Sequence, residues 1–211
     1  VPRHSAQLTT PFTAASAEGG WFVYLLALAD GSAFKVGFSC HPLHRAFTFS
    51  RRYFEQFDLG RSLLVRLDTC PEARVLEAAI KNELAGHRYD CPSWVPAEAG
   101  GHTEWFDAFQ WQPAEDRVRA ASDGDESRLI YMSDFVRTML MRQARSFEFW
   151  ALHQAQFVAQ ALSSSVDAHL AFGSARALRD WVDAYRCCGI PLFPDDPAVR
   201  AFVTDAARQS G

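Results

Sequence analysis

Apolar and polar positions predict most of the elements of this chain before any chemistry is considered. From Trp21 to Leu28 every residue is aromatic or aliphatic, the pattern of a strand buried on both faces. Asp30-Gly31-Ser32 is a turn signal, and Phe34 to Phe38 returns as a second strand, so the two predict a β-hairpin. Gly37 ends the second strand, where a missing side chain admits close approach of backbone or ligand. Pro42 suits the first turn of a helix, capped near Ser39 or His41 and running to about Phe54. After Gly60, Ser62 to Asp68 reads as a third strand. Thr69, Cys70 and Pro71 then open a helix from Glu72 to Ala85, stopped by Gly86, with Ala73, Leu76, Ile80 and Leu84 as its apolar stripe. Glu77 lies at the edge of that stripe. A loop with two prolines and paired glycines leads from His87 to Thr103 into Glu104-Trp105-Phe106, an aromatic anchor.

The pattern then changes. Pro113, Glu115, Asp116, Asp123, Gly124, Asp125 and Glu126 give residues 113–127 the character of an acidic, turn-rich linker. Beyond it, Phe135, Met139, Ala144, Phe147, Trp150, Ala151, Gln154, Phe157, Val158 and Leu162 recur at helical spacing. Shorter helices are expected over about Ala175–Cys188, capped by Gly189, and about Pro197–Gln209. The expected organisation is a lead-in over 1–20, an α+β domain over 21–112, a linker over 113–127 and an all-helical region over 128–211. The α+β domain is expected to carry a small three-stranded antiparallel sheet flanked by helices. Val1-Pro2-Arg3-His4-Ser5 reads as the scar of a cleavable tag.

Composition narrows the class. The chain has 211 residues, 48% apolar and 22% charged, with a formal charge of -4 and a pI near 6.0. A folded protein follows, and one that coats nucleic acid nonspecifically does not, because such proteins are basic. Local charge differs from the total. Between residues 35 and 66, Lys35, Arg45, Arg51, Arg52, Arg61 and Arg66 face only Glu55 and Asp58, with Tyr53, Phe54 and Phe57 among them. Such a patch can hold a nucleic-acid backbone, or the aromatics can be core and the arginines a wet rim. Five cysteines, two of them adjacent, point to reduced thiols and a cytoplasmic, reducing compartment. No apolar run spans a bilayer, so no membrane partner is expected. His87 and Cys91 have metal-like spacing without a second pair, a weak signal.

The chemistry resides in four residues. Tyr24 in the first strand, Lys35 in the second, Arg45 in the following helix and Glu77 in the next are each ordinary taken alone. Tyr24 reads as a core tyrosine, Arg45 as part of a solvated face, and Glu77 as a surface acid paired with Lys81. Together they supply what phosphodiester hydrolysis needs. Arg45 can clamp a phosphate through two N–H groups, and Glu77 suits Mg²⁺ or Mn²⁺, which takes one or two protein oxygens plus the phosphate. Lys35 adds a point charge that could lower the pKa of the Tyr24 phenol and make it a better base.

The order of these residues resembles the GIY-YIG nuclease family over about residues 21–107. Phe22-Val23-Tyr24 stands for the first tripeptide and Lys35-Val36-Gly37 for the second, with Arg45 a little over two helical turns further on. Glu77-Ala78-Ala79-Ile80-Lys81 is similar to the metal-glutamate helix, and Arg88 with Glu104-Trp105-Phe106 resembles the close of a phage-associated subgroup. Lys35 departs from the tyrosine of the second tripeptide, so a base role assigned to that tyrosine does not carry over. The resemblance implies a metal-dependent endonuclease acting on nucleic acid, DNA in preference to RNA. Tyr24, Lys35, Arg45 and Glu77 would be catalytic and Glu77 the metal ligand. Arg51, Arg52, Arg61, Arg66 and Arg88 are the expected backbone contacts. A homodimer through the helical region would let one active site per chain cut both strands. Two other expectations stand beside it: a binding module that keeps the fold without cutting, and a toxin or secreted effector nuclease.

Overall fold

A computed structural model describes residues 20–163 and 168–192. The expected helix over 197–209 and most of the expected lead-in, 1–19, lie outside the described residues. The chain divides into two compact units, one ending at Val136 and one beginning at Arg137.

The first unit is built on a five-stranded antiparallel sheet. Its strands are β1 (Trp21–Ala27), β2 (Ala33–Ser39), β3 (Leu63–Leu67), β4 (Trp105–Asp107) and β5 (Leu129–Tyr131), in the order β4-β2-β1-β3-β5. Five strands replace the three expected. The two additions pair at the sheet edges, β4 on β2 and β5 on β3, and each has three residues, too few to show an alternating pattern. The central strand β1 is buried from Phe22 to Ala27, as its unbroken apolar run requires. The β1–β2 hairpin turns through Gly31 at φ 73°, with Asp30 Oδ1 accepting from the Ser32 backbone.

Register sorts the side chains between two faces. Val23, Leu25, Ala27, Phe34, Val36, Leu63 and Val65 form one face, against α3 (Cys70–Glu83) and α4 (Trp111–Ala120). The opposite face carries Tyr24, Lys35 and Trp105, among Phe49 of α1 (Pro42–Phe49), Phe57 and Trp94. Helix α1 stops at Phe49, and α2 (Tyr53–Gln56) is a separate short turn, so the helix expected to reach Phe54 is two pieces. Helix α3 begins with a capping box. Thr69 accepts from the Glu72 backbone N–H, and the Glu72 carboxylate accepts from that of Thr69.

The acidic stretch 113–127 is not a linker. Trp111, Ala114 and Val118 lie three and four residues apart and bury one face of α4 in the core. Pro113 is tolerated in the first turn, and the mid-helix Asp116 accepts from Gln112 Nε2 at 2.9 Å, one turn back. Glu115 also accepts from Trp111 Nε1 at 2.7 Å and from Arg119 Nε at 2.7 Å. The chain turns at Asp123, φ 53°, and Gly124, φ 77°, before entering β5.

Helix α5 (Met132–Arg142) crosses the division, and α6 (Ala144–Ser163) and α7 (Ala168–Cys187) pack together in the second unit. Its buried residues include Phe147, Trp150, Ala151, Leu178, Val182 and Tyr185. Phe147 and Tyr185 have ring centroids 4.6 Å apart, and Tyr185 donates to the Leu140 carbonyl at 2.9 Å. Seven α-helices are present among the described residues, none long and apolar enough to cross a membrane.

Candidate functional site

Tyr24 and Gly37 are direct partners across the β1–β2 ladder. Glycine is required there because a side chain would collide with the Tyr24 ring: a Cβ on Gly37 would overlap Tyr24 Oη and Cζ. Space expected to admit a substrate backbone is therefore filled by the chain's own phenol. Tyr24 is 2% exposed. Its hydroxyl meets Arg45 Nε at 3.4 Å, a long and weak hydrogen bond. Burial pushes the phenol up to about 12, against the opposing pull of Arg45. Lys35 was expected to lower it. That expectation fails, because desolvation dominates and the nearby cation acting on the phenol is Arg45.

Lys35 is 0% exposed. Its ammonium donates to the Gly101 carbonyl at 2.6 Å and to Glu104 Oε2 at 3.2 Å. It also lies 5.0 Å from the centroid of Phe49 and 5.1 Å from that of Trp105. Burial pulls it down to about 8, with Glu104 opposing. Arg45, on α1, is half-buried with its guanidinium 4.3 Å over the Phe49 ring, and it donates to the Ala99 carbonyl. Gly101 sits where these groups converge. A Cβ there would lie 2.7 Å from both Glu104 Oε2 and Lys35 Nζ, and the residue holds φ 71°.

Glu77 projects from α3 and is 8% exposed. Burial raises its carboxyl pKa despite the Lys81 ammonium 3.1 Å from Oε2. Lys81 also reaches Glu104 Oε1 at 3.1 Å. A chain of charges thus runs Glu77–Lys81–Glu104–Lys35 from α3 to β2. Burial would raise Glu104, but Lys35 and Lys81 together hold it below the usual carboxylate range. Glu77 acts through its charge on both Tyr24 and Lys35.

Tyr24, Lys35, Arg45 and Glu77 thus belong to one electrostatic cluster. Sequence reasoning set Lys81 down as a surface partner and Glu104 as part of an aromatic anchor, and both prove to be members of it. For Lys81 the signal was its being one of two lysines in a chain otherwise reliant on arginine; Glu104 had none of its own.

The five expected backbone contacts do not form one group with this cluster. Arg61 lies 4.6 Å over the ring of Trp111, on the α4 side of the sheet. Arg52 is tied to Glu55 and lies over Phe54. Arg51 and Arg66 are exposed, and exposed Arg88 donates to the Thr103 carbonyl at 2.9 Å.

No group of three or more His, Cys, Asp or Glu side chains among the described residues could hold a metal ion. His87 and Cys91 are accordingly no part of such a group. Magnesium can also be held by one carboxylate, several waters and a substrate phosphate, and here the buried carboxylate of the cluster nearest that description, Glu77, has its Oε2 engaged by Lys81 at 3.1 Å. Glu77 is of that donor class.

Residues 21–124, just under half of the chain, match the T5orf172 domain, which is nuclease-associated and of GIY-YIG- or HNH-like kind. Nothing among curated proteins or solved structures matches. The matched span reaches past residue 112 and takes in α4, the helix whose Trp111, Ala114 and Val118 complete the core beneath the site.

Proposed function

We propose that the first unit is a metal-dependent endonuclease that hydrolyses phosphodiester bonds of nucleic acid, DNA in preference to RNA. The observation that carries the reading is the convergence of Tyr24, Arg45, Lys35 and Glu77 on one cluster from four separate elements. Convergence of two cations, a phenol and a buried carboxylate suits a reaction that builds negative charge on phosphate. Arg45 would clamp a phosphate oxygen through its N–H groups, and Lys35 would supply a second, compact positive charge. Glu77 would hold Mg²⁺ or Mn²⁺, which when bound neutralises phosphate charge and lowers the pKa of bound water.

Tyr24 serves such a site best as a hydrogen-bond donor, because it could take up a proton as a base only after giving up its own. With its pKa near 12, a standing phenolate at pH 7 would cost about 7 kcal/mol. Lys35, near 8, is the cluster member whose proton is labile close to neutral pH. A reducing, cytoplasmic setting belongs to the same proposal, as do nucleic-acid contacts through Arg51, Arg52, Arg61, Arg66 and Arg88; a toxin or secreted effector nuclease is the alternative setting for the same chemistry.

The test is cleavage of duplex DNA with Mg²⁺ by wild type, Glu77→Ala and Arg45→Ala. Both substitutions are expected to slow it about a hundred- to thousand-fold. Cleavage unaffected by either would sink the assignment. A second reading, a binding module that no longer cuts, is favoured by one observation. The carbonyls of Ala99 and Gly101 already occupy donors of Arg45 and Lys35. Retained DNA binding with no cleavage under any divalent metal would select it.

A further inference from the structure

The chain has 21 lysine and arginine residues, and only Lys35 and Lys81 are lysines. Both contact the same carboxylate, one on each oxygen: Lys35 on Glu104 Oε2 and Lys81 on Glu104 Oε1. Apart from Lys81–Glu77 beside it, the described acid–cation pairs away from Glu104 use arginine, as in Arg52–Glu55, Arg117–Glu83, Arg119–Glu115 and Arg128–Asp68. Arginine keeps its proton at any ordinary pH, whereas a buried lysine can lose it. The cation whose charge can be set by its surroundings therefore stands where Glu104 can set it.

The groups facing Lys35 come from several elements. Arg45 on α1 repels it, Cys91 in the 87–103 loop lies near it, and Glu77 on α3 acts at longer range. Phe49 and Trp105 supply aromatic faces. Glu104 is the acid in hydrogen-bond contact, and its other oxygen is fixed by Lys81, so it cannot swing away without breaking two ion pairs.

We propose that Glu104 is the positioning residue of the site: by binding both lysines at once, it fixes the place and the charge of Lys35 beside the Gly101 carbonyl. The proposal deepens the phosphodiesterase reading, but its first test does not depend on that reading. Protein carrying lysine labelled with ¹³C at the ε position gives two side-chain signals, and Lys81→Arg identifies the one from Lys35. In Glu104→Gln the largest pull opposing burial and Arg45 is gone, and the titration midpoint of Lys35 is expected to fall by about one pH unit or more, a tenfold change in acid constant. Glu104→Asp keeps the charge and is expected to restore most of the shift. An unchanged Lys35 midpoint in Glu104→Gln overturns the proposal.

If Glu104→Gln does not fold, the wild-type Lys35 signal taken into acid decides instead. It is expected to move with the protonation of Glu104, and a flat response there overturns the proposal equally. With DNA and Mg²⁺, the alkaline limb of the cleavage rate is expected to move downward in Glu104→Gln by the same amount as the midpoint. A wild type that cuts nothing removes the nuclease reading while the lysine titration still decides the role of Glu104.

Discussion

At residue scale, the site depends on an absent side chain and a buried charge. Gly37 leaves room for the Tyr24 ring on its direct cross-strand partner, and any Cβ there enters that ring. Gly37→Ala is therefore expected to cost about 1–3 kcal/mol by overpacking. In urea titrations, Gly37→Ala made on a Tyr24→Ala background should cost much less, because the obstructing ring is gone. Equal costs in the two backgrounds would show that the tyrosine is not the obstacle. The charge at Lys35 makes a second prediction, of pH dependence. Its folded value near 8 lies below the ordinary 10.5, so between those values the unfolded chain binds more protons than the folded one. Stability attributable to Lys35 is lost as pH falls through 8 and gained as pH rises toward 10.5, by at most about 1.4 kcal/mol per pH unit. The thiols of Cys91 and Cys188, raised by burial, run in the opposite sense above about pH 9. The difference between wild type and Lys35→Met cancels the Cys188 contribution, while the Cys91 thiol, which the Lys35 charge holds down, rises further in Lys35→Met and moves the difference in the same direction. That difference should shift in favour of wild type from pH 8 to 10, and a flat difference would contradict the burial of a labile ammonium.

At element scale, legibility followed the length of the pattern. The apolar run of β1, the turn through Gly31 and the capped, striped helix α3 were readable because each repeats one rule over many residues. The order Tyr24, Lys35, Arg45, Glu77 was readable for the same reason, since each is anchored on such an element. Strands β4 and β5 were not, because three residues carry no period and their pairing is decided by distant partners. Helix α4 was hidden by composition: Glu115 and Asp116 gave the look of a linker, while the deciding residues were Trp111, Ala114 and Val118. Glu104 was overlooked because its importance lies in contacts with Lys35 and Lys81, 69 and 23 residues away. The correction at α4 has a direct consequence. A fragment ending at Gln112 removes Ala114 and Val118 from the core and is expected to be unfolded or aggregated. One ending at Val136 keeps α4 and β5, and should unfold cooperatively by circular dichroism. A folded, cooperative fragment 20–112 would show that α4 is dispensable and the linker reading right.

At the scale of the whole molecule, the two units divide the labour the reading requires. The cluster of Tyr24, Lys35, Arg45 and Glu77 lies wholly in the unit ending at Val136. The unit beginning at Arg137 has its own core, yet leaves large apolar side chains in water. Phe149 on α6 is 68% exposed and Phe172 on α7 is 70% exposed, with Met141 and Leu170 exposed as well. Exposed residues of this size mark association surfaces when several occur together. Under the nuclease reading proposed above, a second copy of the chain on these residues would let one active site per protomer cut both strands as a two-fold pair. The full chain is therefore expected to be a dimer by light scattering at micromolar concentration. The fragment ending at Val136, and the full chain carrying Phe149→Glu with Phe172→Glu, should be monomers. On supercoiled plasmid the dimer should linearise, whereas the monomeric forms, with their cluster intact, should chiefly nick. A wild-type chain that stays monomeric and still linearises plasmid in single encounters would separate double-strand cleavage from dimerisation and leave Phe149 and Phe172 without this role.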